Sequence, residues 1–305
     1  MVYVVKRLLW TIPVLLGVTL VTFAIIKFTP GDPVLLMLGQ RATEERVAEL
    51  RDQLGLDDPV LIQYGNYVVN AIQLDLGTSI RSQTPVMDEI ILRAPSTFEL
   101  TFFALLFAIL FGIPAGVIAA TSGKRWLNSV ITVIALIGLS VPNYWFGIIA
   151  LSVFAVELRW VSVLGGQGIK DLILPVVALG LPSGSVLMRL TRNMMLETLS
   201  SDYVRTAMAK GLPNYVVIWK HVLRNALIPV ITALGLQAGA LLGGTVLIES
   251  VFARPGLGRY AVTAILNRDF PQVQGMILFS AVIYVIINLI VDLAYSSLDP
   301  RIRHY

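Results

Sequence analysis

Apolar residues along this 305-residue chain fall in long, nearly uninterrupted blocks, and the polar positions gather between them. Six blocks come close to or exceed the roughly 20 residues that carry a helix across a bilayer: Leu8–Phe28, Thr97–Ala120, Leu127–Val156, Leu172–Leu190, Leu227–Ile248 and Val273–Tyr295. Each predicts a transmembrane helix. The third holds Pro142, which predicts a kink or break. The fourth is short and carries Gly180, Pro182 and Gly184 in its second half. That pattern predicts a broken helix, packed inside protein or lining a cavity. The first block follows Lys6 and Arg7, as a signal peptide would. It is too long for a signal-peptide core and no small-x-small site follows it, so it reads as a retained span.

The polar positions set an expected orientation. Lys6, Arg7, Lys124, Arg125, Arg189, Arg192, Arg205, Lys210, Lys220, Arg224, Arg301 and Arg303 fall on one side, against Arg159, Lys170, Arg254, Arg259 and Arg268 on the other. The long stretch 29–96 is left out, because long loops cross regardless of charge. The basic excess places both termini in the cytoplasm. Within 29–96, Thr43 is placed to cap a helix opening on Glu44 and Glu45, with Val47, Leu50 and Leu54 on one face and Gly55 as its stop. Leu61, Tyr64, Val68 and Ile72 share the face of a second helix. The segment reads as a small external helical lid. The expected organisation is a tip and first span over 1–28, the external segment over 29–96, a five-helix core over 97–295 and a cytoplasmic tail over 296–305.

Residues 189–226 form the most informative cytoplasmic stretch. Ser201 or Asp202 is placed to cap a helix running to Lys210, and Gly211 to end it. Pro213 permits a turn and the N-terminus of a second helix carrying Val216, Val217, Trp219, Lys220, Val222 and Leu223. Apolar residues stay on this stretch where no bilayer covers them. By composition a basic loop on anionic lipid and a docking site for a soluble partner are equal readings. The helix–glycine turn–helix form favours the partner.

Several polar groups lie in or beside spans. Gln237 is the best candidate for a transport pathway, and Asn143 and Tyr144, just after Pro142, are candidates to line a cavity. Asp292 sits near a helix end, where a local partner is expected. Gly235, Gly239 and Gly243 recur at four-residue spacing, as do Gly112 and Gly116, which predicts close helix packing. Glu249 and Arg254 are placed either to pair as a structural anchor or to face an external partner.

Composition narrows the chemistry. Mean hydropathy is +0.78 and only 14% of residues are charged, against about a quarter in soluble domains. The chain has no cysteine and two histidines, which excludes disulfides and thiolate chemistry and leaves little for a metal cluster. The net charge of +4 belongs to cytoplasmic loops, so nucleic acid is not an expected partner. No Gly-x-x-x-x-Gly-Lys-Ser/Thr loop is present to cradle ATP, and no nucleophile elbow or His-Glu-x-x-His supports a membrane enzyme. The centres of the spans nearly lack ionisable residues, which argues against a proton- or sodium-coupled secondary transporter.

The stretch 189–226 resembles the coupling loop of ABC importer permeases, in the form found in the dipeptide, oligopeptide, glutathione and nickel permease family. The resemblance rests on Asp202-Tyr203, Arg205-Thr206-Ala207, Ala209-Lys210-Gly211, His221, Leu223-Arg224-Asn225-Ala226 and Pro229. It extends along the chain through Pro30-Gly31-Asp32-Pro33, Gln53-Leu54-Gly55-Leu56 and Asp75-Leu76-Gly77. It continues through the run from Phe252 to Arg259, then Arg268-Asp269-Phe270-Pro271 and Asp299-Pro300-Arg301-Ile302-Arg303. The general importer motif has Glu-Ala where this chain has Arg205-Thr206, which matches the peptide-type subfamily and removes any Glu-based contact.

The resemblance implies an all-α, six-helix type I importer permease in a prokaryotic inner membrane. It implies a second, homologous permease subunit, two ATPase subunits that bind the ATP and magnesium, and an extracytoplasmic substrate-binding protein. No cofactor is expected on this chain. The implied ATPase-coupling residues are Asp202, Tyr203, Arg205, Ala207, Lys210, Gly211, Pro213, Asn214, His221, Arg224 and Asn225. Glu45, Arg254 and Arg259 are the expected docking positions for the binding protein. Peptides or glutathione are the expected cargo, with a nickel complex as the alternative within the same family.

Overall fold

The computed structural model describes residues 2–28, 33–38, 42–53, 55–162 and 168–298, with side chains described for all of these except 2–8, 26, 33, 36, 37 and 292–298. The Pro30-Gly31-Asp32 and Asp299–Arg303 motifs lie outside the described residues, as does the side chain of Asp292. The chain folds into helices, and among the described residues no β-strand forms; Thr78 and Pro85 meet in a single antiparallel bridge.

The helices run α1 Val2–Phe28, α2 Pro33–Leu38, α3 Glu44–Gln53, α4 Val60–Ile72, α5 Val86–Thr121, α6 Arg125–Ser140 and α7 Asn143–Leu151. A π-helical turn, Ser152–Glu157, extends α7. Then follow α8 Ile169–Leu199, α9 Asp202–Ala209, α10 Asn214–Val216, a second π turn Val217–Val222, α11 Leu223–Val251, α12 Leu257–Leu266 and α13 Phe270–Leu298. Among the described residues, four helical segments, Val86–Thr121, Ile169–Leu199, Asn214–Val251 and Phe270–Val291, are long and apolar enough to cross a membrane, and the described apolar part of α1, Leu9–Ile25, is shorter. The pair α6–α7 makes a fifth span if counted as one, and it bends by 102° between Ser140 and Asn143, where Pro142 interrupts the helix.

The chain divides into two compact units. The first holds residues 1–95 and 260–286. In it, α4 packs on α1 through its tyrosines: Thr19 Oγ1 lies 3.0 Å from the Tyr64 hydroxyl, and Phe23 meets Tyr64 edge-on and stacks on Tyr67. Burial pushes the Tyr67 hydroxyl up to about 12, with Tyr64 adding to the shift, so it stays a neutral phenol. The expected face of α4 is only half right, because Leu61 and Ile72 point outward, 83% and 76% exposed. The aromatic contacts with α1 decide which side is covered. Thr43 caps α3 through the Arg46 N–H at 3.5 Å, and Gly55 takes the left-handed conformation at φ +61° that ends that stretch.

The same unit contains a buried carboxylate. Asp269, 1% exposed, accepts the Ser79 hydroxyl at 2.6 Å and the backbone N–H groups of Ile80 and Arg81 at 3.3 and 3.2 Å. It also caps α13 through the Gln272 N–H at 3.4 Å. One side chain thus closes the turn between Gly77 and Val86 and starts a span.

The second unit holds residues 96–259 and 287–305 and is organised around α8, which packs against α6, α7 and α11. Contrary to the expectation from sequence, Gly180, Pro182 and Gly184 do not break the fourth span; α8 is one 31-residue helix. Glycines on both sides of the α5–α8 contact are points of close approach. A Cβ on Gly180 would lie 2.6 Å from the Ala104 carbonyl oxygen of α5, and one on Gly116 would lie 2.7 Å from the Met188 carbonyl oxygen of α8. The α11 glycines divide: a side chain on Gly235 would overlap Val291, whereas Gly243 faces open space.

Candidate functional site

The stretch 189–226 is not one loop. α8 continues to Leu199, because Thr191 and Met195 carry its buried stripe past the apolar block. What remains is a compact foot made of α9, a turn and the lower end of α11. α9 begins at Asp202 after Ser201, but Ser201 does not cap it; its hydroxyl donates to the Thr198 carbonyl at 2.5 Å. The helix ends in a Schellman motif: the Gly211 N–H donates to Met208 O at 2.9 Å and the Leu212 N–H to Ala207 O at 3.4 Å. Gly211 supplies the required left-handed residue, at φ +76°. Pro213 then leads into α10 at Asn214, which runs without interruption through the π turn into α11. The second of the two expected short helices is therefore the root of a span.

The foot is held from both sides. Val204 and Ala207 on α9 bury against Val217, Val222, Leu223 and Ala226, with Val117 and Met195 completing the cluster. A polar knot closes the other edge. The Asn225 amide donates to the Tyr203 hydroxyl at 2.8 Å and to the His221 carbonyl at 3.1 Å, and Tyr203 donates to the same carbonyl at 3.4 Å. His221 takes part through its backbone. Arg205 lies 3.8 Å from Asp202 with both side chains exposed, a pair worth little. Lys210 and Arg224 are exposed. So are large apolar groups: Trp219 is 62% exposed, Tyr215 68% and Met208 47%.

At the other end of α11, Glu249 is fully buried. Its carboxylate accepts the Thr97 hydroxyl at 2.6 Å and the N–H groups of Gly258 and Arg259 at 2.7 and 3.3 Å. Thr97 also accepts the Leu257 N–H at 2.8 Å. Glu249 and Arg254 do not pair side chain to side chain; Arg254 is 6% exposed and donates to Glu99 at 2.9 Å. Of the three expected docking positions, Glu45 and Arg259 are exposed and Arg254 is buried. Glu249 and Thr97 were missed as partners. A lone Glu at the end of an apolar block was the available signal, since a carboxylate there needs donors.

Asn143 and Tyr144 open α7 just after the bend. The Asn143 amide lies against α11 at Gly244, where an added Cβ would be 3.5 Å from its Nδ2. Gln237, half-buried, precedes Gly244 by seven residues and so occupies the same stripe of α11.

Comparison with known proteins agrees with this architecture. Residues 112–304 match the family described as "Binding-protein-dependent transport system inner membrane component", and residues 1–101 match "Binding-prot-dependent transport system membrane comp, N-term". The dipeptide transport system permease protein DppB of Alkalihalophilus pseudofirmus is 44% identical, covering 99% of both chains. The glutathione transport system permease protein GsiC of Escherichia coli is 43% identical, again over 99% of each. Among solved structures, the MetNI methionine ABC transporter in inward facing conformations aligns with a TM-score of 0.58 at 18% identity, over 70% of this chain and 97% of that one. An amino acid ABC transporter with histidines aligns at 0.54 and 17% identity, over 70% and 94%. These structures share the fold. Full-length relatedness and matches running from residue 1 to residue 304 place the chain in the family of binding-protein-dependent transport system inner membrane components.

Proposed function

We propose that the chain is the permease subunit of an ATP-driven importer of short peptides, with glutathione in the same cargo class. It forms half of the translocation pathway beside a second, homologous permease. Two ATPase subunits carry the ATP and magnesium, and an extracytoplasmic binding protein delivers the cargo. The chain itself is not catalytic. It crosses the inner membrane six times with both termini inside; α1 supplies the first span and the bent α6–α7 pair the third.

The observation that carries this reading is the foot. A Schellman turn, a buried α9 face and the Tyr203–Asn225 hydrogen bond fix it as one body with α11. Its outer surface presents Trp219, Tyr215 and Met208 to solvent. Exposed aromatic and methionine groups amid polar residues suit a protein interface, and the foot's own rigidity lets a push on it move α11. The ATPase is the proposed partner at this surface, through Asp202, Tyr203, Arg205, Lys210, Gly211, Pro213, Asn214, His221, Arg224 and Asn225, with Ala207 seating α9 from behind. Along the pathway, Asn143 and Tyr144 at the start of α7 and Gln237 on α11 supply neutral polar groups, which suits zwitterionic cargo better than an ion.

The test is uptake into proteoliposomes by the complete transporter with its binding protein. Labelled di- or tripeptide, or glutathione, should accumulate only with ATP and the loaded binding protein. ATP-driven uptake of a nickel complex without peptide uptake would overturn the cargo assignment. Uptake without ATP would overturn the transporter class.

A further inference from the structure

Between α6 and α8 lies an open cavity of about 230 Å³ that the transport reading does not use; Thr132, Leu136, Arg189 and Asn193 of its lining are exposed. Ile131, Ala135 and Leu136 on α6 and Met188 on α8 supply its apolar lining; Arg189, Arg192 and Asn193 on α8, with Thr132 on α6, supply its polar lining. Residues 189, 192 and 193 share one helical face by their spacing. The described ion pairs are Glu89–Arg93, Asp202–Arg205 and Glu99–Arg254, so among the described residues neither Arg189 nor Arg192 has a carboxylate partner. The Arg192 Nε is buried with no hydrogen-bond acceptor. A guanidinium at the edge of the hydrocarbon is costly without a counter-charge, and such groups normally find one. Arg125, exposed at the start of α6, stands seven residues before Thr132 of the same cavity wall and adds a third cation on that face. Leu136, in that lining, and Ile137 beside it are each 50% exposed, so the apolar surface of the cavity opens outward along α6.

We propose that this cavity is a binding site for an anionic glycerophospholipid of the inner leaflet. Its phosphate sits on Arg189 and Arg192, and one acyl chain runs along Ile131, Leu136 and Met188. Basic pockets between transmembrane helices on the cytoplasmic side are suited to anionic headgroups, and the apolar lining selects a lipid over a soluble anion. The lipid neutralises the two arginines and wedges α6 against α8, the helix around which this unit packs.

The test is native mass spectrometry of the intact transporter, stripped in detergent and supplied with phosphatidylglycerol or phosphatidylcholine. Wild type should retain phosphatidylglycerol about tenfold better than phosphatidylcholine. Arg189→Gln/Arg192→Gln should lose that preference, and Arg189→Lys/Arg192→Lys should keep it, since the headgroup reads charge. Inorganic phosphate in millimolar excess should not displace the lipid; if it does, the site binds a soluble anion and the proposal falls. Equal retention of the two lipids by wild type would also overturn it. So would a Gln variant that retains phosphatidylglycerol but raises the KM for peptide, since the cavity would then belong to the pathway. If the Gln variant fails to assemble, the wild-type headgroup comparison and the Lys variant decide the matter alone.

Discussion

The Thr97 hydroxyl donates to the Glu249 carboxylate at 2.6 Å, joining α5 to α11 across 152 residues of sequence. The same carboxylate holds the Gly258 and Arg259 N–H groups at the start of α12, so three helices meet at one buried acid. The run from Pro255 to Gly258 follows from this. A side chain on Gly256 would overlap the Glu249 carboxylate, and one on Gly258 would overlap the α11 backbone at Val246.

Glu249→Gln keeps the shape and its oxygen can serve the Gly258 and Arg259 N–H groups, but its NH2 then faces the Thr97 hydroxyl, which loses its acceptor, and the charge behind all three hydrogen bonds is gone. It should lower stability by about 2–3 kcal/mol, and Thr97→Val by about 1–3 kcal/mol, because the Leu257 N–H loses its acceptor. Thermal unfolding of the purified protein in detergent checks both. Combining them should cost less than the sum, since they share one hydrogen bond. Strict additivity would show that the two residues act separately.

The second buried acid makes a separate prediction. Asp269 closes the Gly77–Val86 turn through Ser79, Ile80 and Arg81. In Asp269→Ala the turn loses all three anchors. Trypsin should then cut after Arg81 at least several times faster than in wild type, while cutting elsewhere is unchanged. Equal rates would mean that the turn is held by other contacts.

Much of the architecture was readable from hydropathy, because the burial of an apolar span is a local property of its residues. Pro142 announced the bend for the same reason: it removes a hydrogen bond wherever the helix would otherwise run. The close packing expected at Gly112, Gly116 and Gly235 is present, but other readings that depend on a neighbouring helix failed. Gly180 and Gly184 looked like breakers, and only the nearness of Ala104 and Ala108 on α5 shows them to be contact points. The hydropathy edge at Leu190 hid the continuation of α8, since a helix leaving the bilayer keeps its buried stripe but not its apolar surround. In the foot, Gly211 was readable from turn chemistry alone. The Tyr203–Asn225 bond, spanning 22 residues, was not.

Orientation is checked with single cysteines, which are convenient in a chain that has none. Gly168 and Gly123 are both exposed, and a Cβ on Gly123 meets nothing within 4 Å. Cysteine at Gly168 should react with an impermeant maleimide from outside intact cells, and cysteine at Gly123 only after permeabilisation. Labelling of both from the same side would reject the proposed topology.

Docking of the binding protein is checked by photo-crosslinkers at Glu45 and Arg259, the two exposed positions of the three expected from sequence. Both should capture the loaded binding protein. A crosslinker at Arg254 should capture it poorly, because that side chain is buried against Glu99. Transport that persists with no capture from either exposed site would move the docking surface elsewhere.

The coupling foot supplies the last prediction. At φ +76° Gly211 is where a β-branched residue is most strained, yet a Cβ there meets no atom within 4 Å. Gly211→Val therefore acts through the backbone alone, at a cost of about 1–2 kcal/mol. That is too little to unfold a protein of this size but enough to shift the Schellman turn and the angle of α9. Substrate-stimulated ATPase activity in proteoliposomes should fall several-fold and transport should fall further, so that more ATP is spent per peptide. Tyr203→Phe removes the hydroxyl that Asn225 holds and costs about 0.5–1.5 kcal/mol, so it should weaken coupling in the same direction but less. Lys210→Gln, on an exposed side chain, should change little. Damage that declines from Gly211→Val through Tyr203→Phe to Lys210→Gln separates geometry from charge. If Lys210→Gln proved the most damaging, the foot would act by electrostatic attraction, and the rigid-body account of coupling through α11 would have to be given up.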